Sequence, residues 1–377
     1  MYEEYMKKCF ELAKKGLGKT SPNPMVGCVV LDKNGKEIST GYHAKYGENH
    51  AERDALLKLK NGEEEGGTII VSLEPCSHFG KTPPCVDLII ERKLKRVVFA
   101  MKDPNPIVSS VKKLEENGIE VISGILEDEA KELNEIFVTN MTKKRPFVAL
   151  KTATTLDGKV ATRTGDSKWI TSTQARDKGH ELRKIYDAVL TTSNTVLADN
   201  PNFNNKQKIL IDRTLKVPTN MNFFKTGKIF IAHDENLNSP ANTENIEYIS
   251  CPTINGQIDI TALLHILFEK KIMSIFVEAG GKFNGSIIDL EIVDKIYHFI
   301  APKILADNTG KSAFIGRNIQ KIKDCVEYKV KNIEQIGDDI LITLKRHCEA
   351  DFRKGAVWAK RTQPARWSGT LLPRQPE

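Results

Sequence analysis

The sequence predicts an α/β protein of two domains. Three observations carry this. A length of 377 residues exceeds what one hydrophobic core usually serves. Strand-sized apolar runs alternate with helix-period segments through both halves. Between the halves lies a short polar break, Thr142-Lys143-Lys144-Arg145-Pro146, so the domains are placed at 1–144 and 145–346.

The first half opens with a mixed-charge helix over 2–15, a turn rich in Ser, Pro and Asn (SPNPMVG), and a strand over 26–31. Asp32-Lys33-Asn34-Gly35 turns the chain back through Ile38 as a hairpin. In HAERDALLKLKNG, Ala51, Ala55, Leu56 and Leu59 recur at helical spacing and Gly62 ends the run, which puts His50 at the first turn of a helix. A strand over 68–73, a helix over 86–93, a strand over 96–101, a helix over 108–117 and a strand over 118–123 follow, closed by one long helix over 127–141. This alternation implies a sheet with helices on both faces. The second half mixes strands (147–153, 187–192, 208–212, 228–232, 273–278, 294–300, 339–345) with helices (173–184, 261–270, 284–290). Beyond residue 346 usable periodicity is lost, and 347–377 reads as a disordered or unrelated tail.

Composition narrows the function. Net charge is +7, three units of it from the tail, and no basic patch is interleaved with aromatics. That balance fits a phosphorylated small molecule or a dinucleotide and makes nucleic acid the minority reading. Seven scattered cysteines and an N-terminus without an apolar signal core indicate a reducing, cytoplasmic setting. The apolar runs fall far short of the roughly 20 residues of a membrane helix.

The most informative stretch is EPCSHFGKTPPC, residues 74–85. A zinc ion that activates water needs three protein ligands and one open position. His50, Cys76 and Cys85 can supply them, with Glu52 beside the open position as proton carrier. His50-Ala51-Glu52 and Pro75-Cys76 fit the H-x-E…P-C-x-x-C signature of zinc base deaminases, but eight residues separate the cysteines instead of two. The longer loop still closes on one metal, because each doubling of loop length adds only about 0.6 kcal/mol of entropy. Two buried cysteines, or a structural site with His78 as fourth ligand, are the bland alternatives; compartment disfavours a disulfide.

SPNPMVG, GYHAKYGENHAE, LEPCSHFGKTPPC and AMKDPNP, followed by KTATTLDGKVAT, GDSKWITS, VLADNP, FVEAGGKFNGS and APKIL, together resemble the bifunctional deaminase/reductase of riboflavin biosynthesis over residues 1 to about 346. The long cysteine spacer is that family's own variant. The resemblance implies a cytidine-deaminase-like three-layer α/β/α domain followed by a dihydrofolate-reductase-like α/β domain, with one zinc and NADPH as cofactors. The first domain would deaminate 2,5-diamino-6-ribosylamino-4(3H)-pyrimidinone 5′-phosphate, and the second would reduce its ribosyl group to ribityl. It places Asn23, His43, Lys81, Asp103 and Asn105 on the deaminase substrate. For Asn23, Asp103 and Asn105 the competing reading is turn chemistry beside proline.

In the second domain the resemblance assigns Ala153, Trp169, Thr195, Asp199 and the run Gly280, Gly281, Lys282, Phe283, Asn284, Gly285, Ser286 to the cofactor. It assigns Lys151, Ser167, Thr171, Arg183, Phe203, Lys206 and Glu278 to the substrate. A glycine pair between strand and helix brings backbone N–H groups to a phosphate, although G-x-G-x-x-G itself is absent. The chain departs from the family in three places. The turn after DPNPIV is two residues shorter, Lys206 stands where an arginine is usual and loses its bidentate grip on phosphate, and Arg213 replaces a small polar residue. The family also implies a homo-oligomer. Two other readings remain open on residues alone: a nucleoside or RNA deaminase with an unrelated second half, and a non-catalytic zinc-binding module.

Overall fold

The computed structural model describes residues 2–80 and 83–346. The expected tail 347–377 and Lys81 lie outside the described residues. In the first unit β1 (Gly27–Leu31), β2 (Glu37–Tyr42), β3 (Thr68–Leu73), β4 (Arg96–Met101) and β5 (Glu120–Ser123) form one sheet in the order β2-β1-β3-β4-β5. The β2-β1-β3 pairs are antiparallel and the β3-β4-β5 pairs parallel. TIIVSL of β3 is buried at every position, as expected of a strand covered on both faces.

Two glycines show how that covering is achieved. An added Cβ at Gly27 would lie 2.0 Å from the Cys9 carbonyl of α1 (Tyr2–Lys14), and one at Gly41 would lie 2.3 Å from the Ala51 carbonyl of α2 (Ala51–Leu56). Gly41 pairs with Cys28, the neighbour of Gly27, so the two glycines face opposite sides of the sheet. Helices α1 and α2 therefore pack on opposite faces, at backbone contact. On the α2 side follow α3 (Cys85–Glu91) and α4 (Ser110–Glu116), and α5 (Glu127–Leu133) lies with α1.

The single helix expected over 127–141 is two, α5 and α6 (Glu135–Lys143). They break at Asn134, whose buried side chain accepts from Met25 N (2.8 Å) and donates to Met25 O (3.0 Å). The two helices differ in what they pack on: Ala130 of α5 belongs to the first core, whereas Ile136 of α6 packs against the second unit and Asn140 bonds to its Met273 carbonyl.

The second unit comprises β6 (Phe147–Thr155), β7 (Lys159–Ala161), α7 (Thr173–Ile185), β8 (Ala188–Thr192), α8 (Ser193–Asp199), β9 (Gln207–Ile211), β10 (Lys228–Asp234), β11 (Ile246–Cys251), β12 (Thr253–Ile254), β13 (Gln257–Ile258), α9 (Ile260–Glu269), β14 (Ser274–Val277), α10 (Gly281–Asp289), β15 (Lys295–Ala301), β16 (Lys311–Ser312), β17 (Tyr328–Ile336) and β18 (Asp339–Arg346). Nine of these strands make one sheet, β11-β10-β9-β8-β14-β6-β15-β18-β17, parallel except at β18 and β17. Phe147, Phe276, Tyr297 and Phe299 pack on one face against α7. Val148, Leu190 and Val277 pack on the other against α9 and α10. The exposed strand β17 was not expected, since its sequence YKVKNIEQI lacks an apolar alternation.

The polar break at 142–146 is not a free linker. Arg145 reaches into the second unit and pairs its two terminal guanidinium nitrogens with Asp294 at 2.7 Å, each residue being under a tenth exposed. Asp294 also accepts from Val148 N, so the pair fixes where β6 starts. Asn140 donates to the Arg145 and Met273 carbonyls, and Ser21 donates to Asp187 across the units at 2.9 Å. Removing one partner of a buried ion pair leaves an uncompensated charge. Asp294→Ala is therefore expected to lower unfolding free energy by about 3–5 kcal/mol, read from the urea midpoint; an unchanged midpoint would contradict this.

Candidate active sites of the two domains

His50 is the N-cap of α2, extended in backbone and making no side-chain cap, and its ring faces Cys76 and Cys85. Cys76 follows β3 by three residues, and Cys85 is the first residue of α3. His50 Nδ1 lies 3.4 Å from Cys76 Sγ and 3.5 Å from Cys85 Sγ, and all three donors fall within 4.8 Å of one another. With bonds of about 2.3 Å to sulfur and 2.0–2.1 Å to nitrogen, a tetrahedral zinc sets sulfur–nitrogen separations of about 3.5 Å. The donors are already at that spacing.

The protons are arranged for the same purpose. The Cys85 thiol and the His50 ring direct hydrogen bonds at Cys76, which brings the Cys76 thiol well below its ordinary value. The same bond, with burial, pushes Cys85 upward. Cys76 also accepts the backbone N–H of Cys85 at 3.3 Å, at the positive start of α3. Glu52, two residues after His50, is 4% exposed, and burial followed by the Cys76 charge raises its carboxyl to about 7. A carboxyl balanced there can take and return a proton near neutral pH.

Around this cluster the other expected residues divide. Asn23 donates its amide to His43 Nε2 at 3.2 Å, and His43 Nδ1–H donates to the Asn49 carbonyl at 2.9 Å. Burial lowers the pKa of His43, consistent with a neutral ring whose edge meets His50 at 5.4 Å between centroids. His43 is 2% exposed, so it supports Asn23 from beneath. Asp103 accepts from Asn105 N and Asn105 from Ile107 N, which is the turn chemistry of a polar residue beside proline. Burial raises Asp103 to about 6.

Glu74 was missed in the sequence. It is 7% exposed and accepts from Asp103 N (3.2 Å), Ser110 N (3.0 Å) and Ser110 Oγ (2.6 Å). Its signal was an acid at the end of an otherwise apolar strand.

The second site forms where the central parallel strands end. Glu278 follows β14 directly, and its carboxylate meets Arg183 Nε at 2.6 Å and Lys151 Nζ at 3.8 Å. Burial pushes Glu278 upward, but these cations overcome it and hold the carboxylate ionised. The Arg183 guanidinium also lies over the Phe203 ring at 4.7 Å. Lys151, Arg183, Phe203 and Glu278 are thus one cluster.

The remaining residues lie around it or apart from it. Trp169 is 63% exposed with Arg176 over its ring, Thr171 is buried, and Ser167 and Ala153 are half-buried. Thr195 lies within α8, Asp199 is exposed at its end, and Lys206 is exposed. In the glycine-rich run, Gly281 and Gly285 give room to the Ser312 and Ile315 carbonyls, and Asn284 donates to the Ala313 carbonyl. Gly280, the N-cap of α10, has open space before it, and Lys282 and Ser286 are on the surface. Phe283 is half-buried.

Residues 1–101 match the model of the cytidine and deoxycytidylate deaminase zinc-binding region, and residues 146–342 match that of the RibD C-terminal domain. The two sites thus define a zinc-dependent deaminase joined to an NADPH-dependent reductase. The chain belongs to the RibD family, the bifunctional deaminase/reductases of riboflavin biosynthesis. It is 42% identical to the riboflavin biosynthesis protein RibD of Aquifex aeolicus over 92% of this chain and 98% of that protein. To the Escherichia coli RibD it is 36% identical over 91% and 98%. The crystal structure of a diaminohydroxyphosphoribosylaminopyrimidine deaminase/5-amino-6-(5-phosphoribosylamino)uracil reductase from Thermotoga maritima aligns with a TM-score of 0.81 at 40% identity, covering 92% of this chain and 99% of that one.

Because Cys85 holds its proton in the metal-free cluster, metal uptake must release it. Zinc added to chelator-treated protein is expected to liberate protons and to bind more weakly as pH falls, with Cys85→Ser releasing fewer; calorimetry in buffers of different ionisation heat reads this. Equal proton release from both proteins would contradict the assignment.

Proposed function

We propose that the chain deaminates 2,5-diamino-6-ribosylamino-4(3H)-pyrimidinone 5′-phosphate in its first domain and reduces the ribosyl group of the product to ribityl in its second. The observation that carries this reading is the pairing of the His50, Cys76, Cys85 and Glu52 cluster with a separate Lys151, Arg183 and Glu278 cluster in one chain.

His50, Cys76 and Cys85 would hold the zinc, which when bound would supply a water acidified toward a pKa of about 7. Glu52 takes a proton from the attacking water and delivers it to a ring nitrogen, then takes the remaining proton from the added hydroxyl and passes it to the departing amine. Carbon–nitrogen cleavage yields ammonia and the ring carbonyl. Asn23, supported by His43, with Asp103 and Asn105, binds the pyrimidine and its sugar phosphate, and Lys81 adds a cation.

In the second domain a bound NADPH would supply the hydride. Ala153, Trp169, Thr195, Asp199 and the run Gly280 to Ser286 hold the dinucleotide, with Gly280 admitting a phosphate to the N-terminus of α10. Lys151, Ser167, Thr171, Arg183, Phe203 and Lys206 hold the substrate, and Glu278 orients the sugar while fixing Lys151 and Arg183. The small-molecule substrate needs no nucleic acid and no membrane, and no helix among the described residues is long and apolar enough to cross one. A cytoplasmic protein is supported by the free thiols of all six described cysteines. A homo-oligomer is supported by Val330, Ile333 and Ile340, exposed at 57%, 63% and 41% on the β17-β18 ribbon.

Glu52→Gln separates the two steps. Ammonia release is expected to fall by at least about a hundredfold, while NADPH oxidation with already-deaminated substrate stays at the parent rate. Undiminished ammonia release from the variant would refute the assignment, and loss of both activities would refute the two-site picture.

A further inference from the structure

We propose that Glu74 is a positioning residue of the deaminase pocket, which together with Ser77 ties the Cys76 stretch to the loop that carries Asp103 and Asn105. The proposal rests on the reading above that Asp103 and Asn105 bind the substrate. β3 and β4 are adjacent parallel strands and leave the sheet at the same edge, where Glu74 N–H donates to the Met101 carbonyl at 3.0 Å. Beyond that point the chains separate, one toward Cys76 and the other toward Asp103.

The Glu74 side chain bridges the gap. Both of its oxygens are used: Oε2 accepts from Asp103 N at the start of the loop, and Oε1 accepts from Ser110 N and Ser110 Oγ at its end. Ser77 Oγ accepts a fourth bond, from Ser109 N at 2.9 Å. Ser109, the N-cap of α4, makes no side-chain cap of its own, so Glu74 serves a free N–H of that helix from another segment. Ile107 between the anchors is 66% exposed, so the loop has little packing of its own. The shortened turn is therefore held at both ends by acceptors flanking Pro75-Cys76.

Three donors converge on this carboxylate. A glutamine offers one acceptor oxygen and turns an N–H₂ toward another donor, so Glu74→Gln removes the bridge at nearly constant volume. With those hydrogen bonds lost the loop is no longer held, so the Michaelis constant for the diaminopyrimidinone ribosylamine phosphate should rise about tenfold. The turnover number should stay within about twofold, because the lost contacts serve ground state and transition state alike. Ser110→Ala should raise the constant about threefold, and the double variant should be no worse than Glu74→Gln alone, since both act through one bridge.

Zinc content and NADPH oxidation with deaminated substrate report whether each variant is folded. Unchanged Michaelis constants in folded Glu74→Gln and Ser110→Ala overturn the proposal. So does a loss of turnover or zinc at constant Michaelis constant, which would place the action of Glu74 on the metal ligands. If Glu74→Gln does not fold, Ser110→Ala alone decides. A parent protein that oxidises NADPH but releases no ammonia overturns the functional reading itself, and the positioning role with it.

Discussion

Three soft donors held within 4.8 Å are the constraint on which the first domain turns. Two of them stand at helix starts and the third on a loop, so the start of α2, the end of β3 and the start of α3 must meet at one point. Backbone contact at Gly27 and Gly41 brings α1 and α2 close enough to the sheet for this. Bringing a histidine ring and two thiols together under low exposure is costly without a cation. The hydrogen bonds that place the negative charge on Cys76 offset part of that cost, and zinc removes the rest.

Both domains solve the placement problem in the same way. Each sets residues of its candidate site at or near the carboxyl ends of adjacent parallel strands, where open α/β sheets form their crevices. In the first domain these are Glu74 and Cys76 after β3 and Asp103 after β4. In the second, Glu278 follows β14 while Lys151 lies level with it on β6. The two carboxylates are tuned in opposite directions. Burial outweighs the nearby His50 charge and raises Glu52 to about 7, whereas Glu278 is held ionised between Arg183 and Lys151.

Much of this was legible in the sequence. Continuous apolar strands such as β3 and β4 have no rival reading once their flanking turns are recognised, and the metal cluster was readable because zinc chemistry requires those residue types in that order. What was hidden depends on distant partners. Asn134 splits a helix because Met25 lies beside it, and β17 is a strand only because β18 pairs with it. Glu74 takes its meaning from a loop about thirty residues later. Of the glycine-rich run, the pattern alone did not show that Gly281 and Gly285 make room for the 312–315 segment.

The central claim is a three-ligand zinc site with one exchangeable position beside Glu52. X-ray absorption at the zinc edge of the purified protein tests it directly. The account predicts two sulfur ligands, one imidazole and one light, exchangeable oxygen. A second imidazole shell would contradict it, because His78 would then close the coordination sphere and leave no place for the reacting water.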